Sequence, residues 1–313
     1  MSKEASASTS VQTKYIREFS GHTNHVNVIS FSTDGQQLIS GSYDQTARIW
    51  SIANGQELKV LSGHTEWVRC IAISTDNTLV VTGSLDHTAK VWDAQTGKEI
   101  SSFSDESIIQ AVAISPDKKL IFTGNEEGTG RLWNLESKKE VFCLAEHMTA
   151  ILIASFSPNG KLIAEATGKS IHVWDTQTGE KVAHFDTNKA RVLQLKFSGN
   201  EHLVSGSEDG MVRLYNIADQ KEIRRFNAYN TWLQNFAVSS DGKYVFAAYD
   251  NWTSGDSPQI IVRRWLLESE KEFQDQHFMG HRMSISCIAF SPDCKHFVSG
   301  SSDKTMFLWE LKF

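Results

Sequence analysis

Short apolar runs recur along the chain, each bounded by turn residues. One stretch shows the order. It opens with Gly63-His64, runs through Cys70-Ile71-Ala72-Ile73-Ser74 and Thr78-Leu79-Val80-Val81-Thr82, turns at Gly83-Ser84-Leu85-Asp86, and closes with Lys90-Val91-Trp92-Asp93. The runs are rich in β-branched residues, too short for helices, and have no helical period, so the pattern predicts strands. Ser115-Pro116-Asp117, Ser157-Pro158-Asn159 and Ser291-Pro292-Asp293 supply turns between the first two strands of their units. Proline presets φ at the second turn position, and Asp or Asn bonds back to the backbone. A fourth strand follows the closing aromatic, as in Glu57-Leu58-Lys59-Val60-Leu61 after Trp50.

The unit repeats. Closing aromatics fall at Trp50, Trp92, Trp133, Trp174, Tyr215, Trp265 and Trp309, at intervals of 42, 41, 41, 41, 50 and 44 residues. Length alone would suggest about two domains. Regular spacing across the whole chain argues instead for one repetitive domain. Four short strands per unit is the pattern of a propeller blade, so seven units predict an all-β, seven-bladed β-propeller of four-stranded blades. The expected organisation is a disordered N-terminal tail over residues 1–12 and a single propeller over 13–313. Tyr15-Ile16-Arg17-Glu18-Phe19 has the pattern of an outer strand, whereas the chain ends on Phe307-Leu308-Trp309-Glu310-Leu311, the pattern of a third strand. The last blade therefore lacks a fourth strand of its own.

The Gly-His, Ser-x-Asp, Trp-Asp pattern resembles the WD-repeat β-propeller family over roughly residues 15 to 313. Units one, two and seven match best, through His22, Ser42, Asp44 and Trp50, then His64, Ser84, Asp86 and Trp92, then His281, Ser301, Asp303 and Trp309. The resemblance implies that each set forms a hydrogen-bond network tying one loop to the third strand. It also implies that the N-terminal strand completes the last blade and closes the ring. Other units depart from the pattern. In the third, Asp105 replaces the histidine, and Asn125 and Glu127 replace Ser and Asp; the fourth keeps His147 and Trp174 but has Gly168 at the Asp position. The fifth has Asn188 and Tyr215, with Ser207 and Asp209 retained, and the sixth has Tyr229 at the histidine position.

Composition narrows the chemistry. Hydrophobic residues make up 40% and charged residues 22%, enough to build a core. A net charge of -6 argues against a general binder of phosphate backbones, and no nucleic-acid partner is expected. No apolar run approaches the ~18 residues of a membrane helix, so no membrane insertion is expected. The first ten residues are small and polar and contain no apolar core of a secretory signal. Cys70, Cys143, Cys287 and Cys294 form no CxxC pair and no zinc spacing. They read as thiols in a reducing compartment, and the protein is expected to be cytoplasmic, with no metal and no cofactor.

His64, Ser84 and Asp86 have the residue types of a hydrolase triad. The same set recurs in units one and seven, and a catalytic site has no reason to be built three times. The cations two residues before the markers, Arg48, Lys90, Arg131, Arg213 and Arg263, with His172 in the fourth unit, are spread one per unit and form no stripe. They are expected to pack structurally between neighbouring blades.

In the family that the chain resembles, the face carrying the Gly-His and Ser-x-Asp loops often holds a partner peptide over the channel, through positions three and five after the histidine. Carried over, these include Trp67, Arg69, Gln110, Arg191, Trp232 and Gln234. The residue between Ser and Asp adds Tyr43. Trp252, inside the Asn251–Pro258 excess of the long sixth interval, is expected to rise on the same face. Aromatic and Arg residues are the usual interface anchors. The expected function is a non-enzymatic scaffold that binds a peptide or protein segment on this top face, as a monomeric domain or a complex subunit. The alternatives are a structural subunit using its rim or bottom face, and an enzyme with a loop-built active site.

Overall fold

A computed structural model describes residues 15–187, 190–227, 233–239, 243–251, 258–266, 273 and 275–312. Met1–Ser10 and the rest of the expected tail lie outside them, as do Asn188, Tyr229, Trp232 and Trp252. The described residues form seven four-stranded sheets, each antiparallel. The first complete blade shows the plan: β2 (Val26–Phe31), β3 (Gln37–Ser42), β4 (Thr46–Ser51) and β5 (Glu57–Ser62) lie side by side in chain order. The seventh is built differently. Its outer strand is β1 (Arg17–Ser20), which pairs with the last strand, Thr305–Glu310. The two ends of the chain thus close the ring, and no blade is left with an open end.

The first strand of each blade touches the first strands of both neighbours, and Ile285–Phe290 of the last blade touches β2. Seven inner strands therefore surround a central axis. The core lies between blades as seven layers, each shared by two neighbours. Ile39, Ile49 and Leu61 of the first blade pack on Val80 and Trp92 of the second; Phe19 and Trp50 pack with Val298, Met306 and Leu308 across the closure. Six of the seven repeat markers are buried because they sit in these layers, Trp50, Trp92, Trp265 and Trp309 at 1% exposed each, and Trp133 is half-buried against its layer. Burying one such side chain contributes about 2–3 kcal/mol. Close approach of blades also dictates residue type. A Cβ on Gly83 would stand 2.5 Å from Ile109 Cγ2 of the next inner strand, so the backbone there must carry no side chain.

The turns between first and second strands form the opposite face. Ser115 Oγ donates to Asp117 Oδ1 (2.6 Å), and Lys118 takes a left-handed φ of 60° to complete the turn. In the sixth blade, the second and third strands lengthen to Tyr244–Asn251 and Gln259–Leu266, with Asn251 opposite Gln259. The long sixth interval is thus partly an extension of this hairpin, and its residues 252–257 fall outside the described set.

Candidate partner-binding face

Each well-matched blade is locked by a chain of hydrogen bonds beneath its top loops. In the first, Trp50 Nε1–H donates to Ser40 Oγ (2.8 Å), Ser40 Oγ meets His22 Nε2 (2.7 Å), and His22 Nδ1 meets Asp44 Oδ2 (2.8 Å). Indole can only donate, so the hydroxyl accepts from it and gives its own hydrogen to the imidazole, which leaves Nδ1–H for the carboxylate. The second blade repeats this with Trp92, Thr82, His64 and Asp86, and the seventh with Trp309, Ser299, His281 and Asp303. Burial opposes ionisation of Asp44, Asp86 and Asp303, but hydrogen bonds from the histidine and a threonine outweigh it and hold each carboxyl well below the usual range.

The hydroxyl in these chains is not the one expected from sequence. Ser42, Ser84 and Ser301 belong to the top loops: Ser42 Oγ donates to Asn24 O (3.2 Å) and accepts Asp44 N–H (3.1 Å), and Ser84 and Ser301 do likewise with their own loops. The register explains the difference. Trp50 stands opposite Leu38 on β3, and its indole reaches one pleat along to Ser40 rather than two to Ser42. Residues two apart share a strand face, so both hydroxyls point the same way.

The third and fourth blades keep the lock with other groups. In the third, Asp105 accepts from Asn125 Nδ2 (2.8 Å) and Arg131 Nη1 (2.7 Å), while Trp133 donates to Thr123 Oγ1 (2.8 Å). The fourth replaces the hydroxyl with Glu165, fully buried, whose Oε1 accepts from Trp174 Nε1 (3.0 Å) and meets His147 Nε2 (2.7 Å). His147 stacks on His172 (centroids 4.3 Å apart), and His172 Nδ1 lies 3.2 Å from His184 Nδ1. Burial, then the neighbouring His147 and Lys181 charges, pushes the His172 imidazole down to about 3.

The cations before the markers are also accounted for, within blades rather than between them. Arg48 pairs with Glu57 (2.6 Å), Lys90 with Glu99 (2.9 Å), Arg131 with Glu140 (3.2 Å), Arg213 with Glu222 (3.7 Å) and Arg263 with Asp275 (2.7 Å). In each pair a third-strand cation meets an acid at or near its own blade's outer strand, so these charges are already compensated.

Above the locks, the two top loops of a blade are joined backbone to backbone: Tyr43 N–H donates to His25 O (3.0 Å) and Leu85 N–H to Trp67 O (3.1 Å). The first inner residues behind these loops share one irregularity. In all seven blades the pairing of first and second strands skips one residue, a β-bulge. The skipped residues are Asn27, Arg69 and Gln110 in the first three blades, Leu152 and Leu193 in the next two, then Gln234 and Ser286. A bulge re-aims its side chain out of the sheet pattern, and here seven bulges form a collar at the channel mouth. Neighbouring collar residues meet. Arg69 Nε donates to Gln110 Oε1 (2.9 Å) and Arg69 Nη1 to Asn27 Oδ1 (3.0 Å), and Ser286 Oγ donates to Val26 O across the closure.

An aromatic stack stands beside the collar. Trp67 lies on Tyr43 with centroids 3.9 Å apart and planes within 10°, and Tyr43 stacks in turn on His25 at 5.4 Å. Trp67 remains 39% exposed. The structure thus brings together Tyr43 with Trp67, and Arg69 with Gln110. Gln234 occupies its own bulge, half-buried, and Arg191 stands apart, with Nη1 3.9 Å from Glu208 Oε1. The expectations for Trp232 and Trp252 fall outside the described residues. Sequence reasoning missed Ser40, Thr82, Ser299 and Glu165. A register alignment of the second strands, which sets Glu165 level with Ser40, was the signal that could have found them. Among the described residues, no three His, Cys, Asp or Glu side chains are grouped to hold a metal ion.

A family model described as IFT122 first beta-propeller matches residues 49–254, and one described as WD domain, G-beta repeat matches residues 13–51 and 273–310. The chain belongs to the WD-repeat β-propeller family. Propellers of this family serve generally as protein-interaction scaffolds. Individual relatives match in part. WD repeat-containing protein 1 of Bos taurus is 29% identical over 115 residues, covering 36% of this chain and 18% of that protein. Nuclear distribution protein PAC1-2 of Uncinocarpus reesii is 26% identical over 133 residues, covering 36% and 27%. Anaphase-promoting complex subunit cdh1 of Dictyostelium discoideum is 24% identical over 112 residues, covering 36% and 14%. The matched part of this WD-repeat propeller therefore corresponds to a minor share of each of these relatives.

Proposed function

We propose that this WD-repeat propeller is a non-enzymatic scaffold that holds a peptide or protein segment across its channel mouth, on the face of the Gly-His and Ser-x-Asp loops. The observation that carries this reading is the collar of seven bulged residues beside the Tyr43–Trp67 stack, whose Trp67 is exposed. The collar residues are released from sheet pairing and vary freely in chemistry from blade to blade. The stack supplies a rigid aromatic anchor of the kind that dominates interface energetics. The His–Ser/Thr–Asp–Trp chains, although they contain hydrolase residue types, are repeated in three blades and have their polar atoms committed to locking loops. We further propose a reducing, cytoplasmic setting. Cys70 and Cys287, which are in no disulfide, support it, and burial pushes both thiols up to about 12.

Affinity purification from the native cells, followed by mass spectrometry, compares the wild type with Tyr43→Ala/Trp67→Ala. The double variant is expected to melt like the wild type and to lose its principal partner. A variant that melts normally and keeps every partner refutes the top-face reading. Crosslinks to Lys118, Lys119 or Lys161 on the opposite turns would then assign the contact to the bottom of the disc.

A further inference from the structure

The chain carries more acids than bases, 37 against 31, yet its seven inner strands contain no Asp or Glu. Their charged residues are Arg69 and Lys196. Arg69 is also the one charged residue among the seven bulge positions. Its surroundings differ from those of the marker cations. Arg48, Arg131, Arg213 and Arg263 each face a carboxylate, whereas Arg69 is held by two neutral amide oxygens, Gln110 Oε1 and Asn27 Oδ1. A guanidinium has five N–H donors. Two are used to fix its position, so the rest of the fork is oriented and has no counter-charge among the described residues. Such a group, half-buried and already ordered, loses little freedom when it binds an anion, and it acts through a lower dielectric than bulk water.

Resting on the reading of the channel mouth as the binding site, we infer that the occupant is an acidic peptide segment. An Asp or Glu carboxylate of that segment meets the open fork of Arg69, and an adjacent apolar or aromatic residue lies on Trp67. The amide collar on either side accepts and donates to the segment's backbone. Lys196, further along the fifth inner strand, is turned to the next blade, where its Nζ donates to Phe236 O (3.5 Å), so Arg69 carries the charge at the mouth.

The test uses the full chain and short fluorescein-labelled peptide pools, read by fluorescence anisotropy. One pool carries Asp and Glu among apolar and aromatic residues. A second replaces them with Asn and Gln, and a third carries phosphoserine instead. The acidic pool is expected to bind about tenfold tighter than the amide pool, the factor that a hydrogen bond to a charged group supports. Arg69→Gln is expected to abolish that preference while residual binding persists, whereas Trp67→Ala weakens both pools. Equal binding of the acidic and amide pools, or an undiminished preference in Arg69→Gln, overturns the carboxylate assignment and leaves the mouth as the site. So does binding of the phosphoserine pool without the acidic one. Unchanged binding by Trp67→Ala overturns the mouth itself. One measurement needs no variant: raising salt must weaken wild-type binding of the acidic pool, because the pairing is electrostatic at a solvent-reached site, and salt-independent binding overturns the inference.

Discussion

Thr82→Val separates two accounts of how a blade is locked. Valine keeps the shape of threonine and removes the hydroxyl, so the substitution leaves no cavity. Thr82 is fully buried, and its Oγ1 serves two partners, Trp92 Nε1–H at 2.8 Å and His64 Nε2 at 2.7 Å. Both lose their partner in the variant, and Trp92, 1% exposed, has no water to turn to. A buried donor or acceptor left unsatisfied costs about 1–3 kcal/mol, so the pair should cost about 2–6 kcal/mol. Ser84→Ala provides the contrast. Ser84 is as buried as Thr82, but its Oγ donates to Glu66 O (3.1 Å) and accepts Asp86 N–H (3.1 Å), backbone groups of an exposed and a half-buried loop residue that can turn to water, so a smaller loss of about 1 kcal/mol is expected. Urea unfolding followed by circular dichroism and tryptophan fluorescence reads both variants. In a Trp92→Phe background, which has no indole N–H, the loss from Thr82→Val should shrink; this isolates the bond from any packing effect. A Thr82→Val variant as stable as the wild type, or less damaging than Ser84→Ala, would show that the register argument is wrong.

Acid should expose the histidine stack of the fourth blade. His172 is held neutral when folded, with an imidazole pushed to about 3, but it titrates near 6.5 when unfolded, so its contribution is complete above the unfolded value and is lost as pH falls from there toward the folded one. The wild type should therefore lose about 2 kcal/mol between pH 7 and pH 5 relative to His172→Gln; Glu165, His147, His184 and Lys181 stay in place in both, and parallel pH profiles would count against the assignment. Deleting Met1–Ser20 removes β1 with fully buried Phe19 and should lower the melting temperature by about 5–10 °C, whereas deleting Met1–Ser10 should leave it nearly unchanged; equal melting temperatures would refute closure by β1.

The blade count was legible because the marker aromatics do the same physical task seven times: each fills a layer between two blades, and its spacing is the length of one blade. Closure was legible for a related reason, since an outer-strand pattern at Tyr15–Phe19 and a missing one after Trp309 complement each other. Ser40 against Ser42 was not legible. The two share a strand face, and the choice depends on how far an indole reaches across the register, a distance no spacing reports. Glu165 left a trace, an acid inside the apolar run Leu162-Ile163-Ala164-Glu165-Ala166, but its meaning depends on His147 and Trp174 arriving from other strands. The collar positions were named by the family resemblance, through Arg69, Gln110 and Gln234, but the bulge that releases them was not legible. An inner strand such as Val68–Ile73 reads as continuous, and nothing in its composition marks Arg69 as the residue that the pairing skips. The bulge recurs whether the skipped residue is Asn, Arg, Gln, Leu or Ser, so the backbone device belongs to the repeat while the side chain does not. Residues that hold the frame must repeat and can be read from one chain. Residues released from the repeat differ from blade to blade, so the resemblance could point to Arg69 and Gln110 one by one, but their contact with each other showed only when the blades were set around one axis.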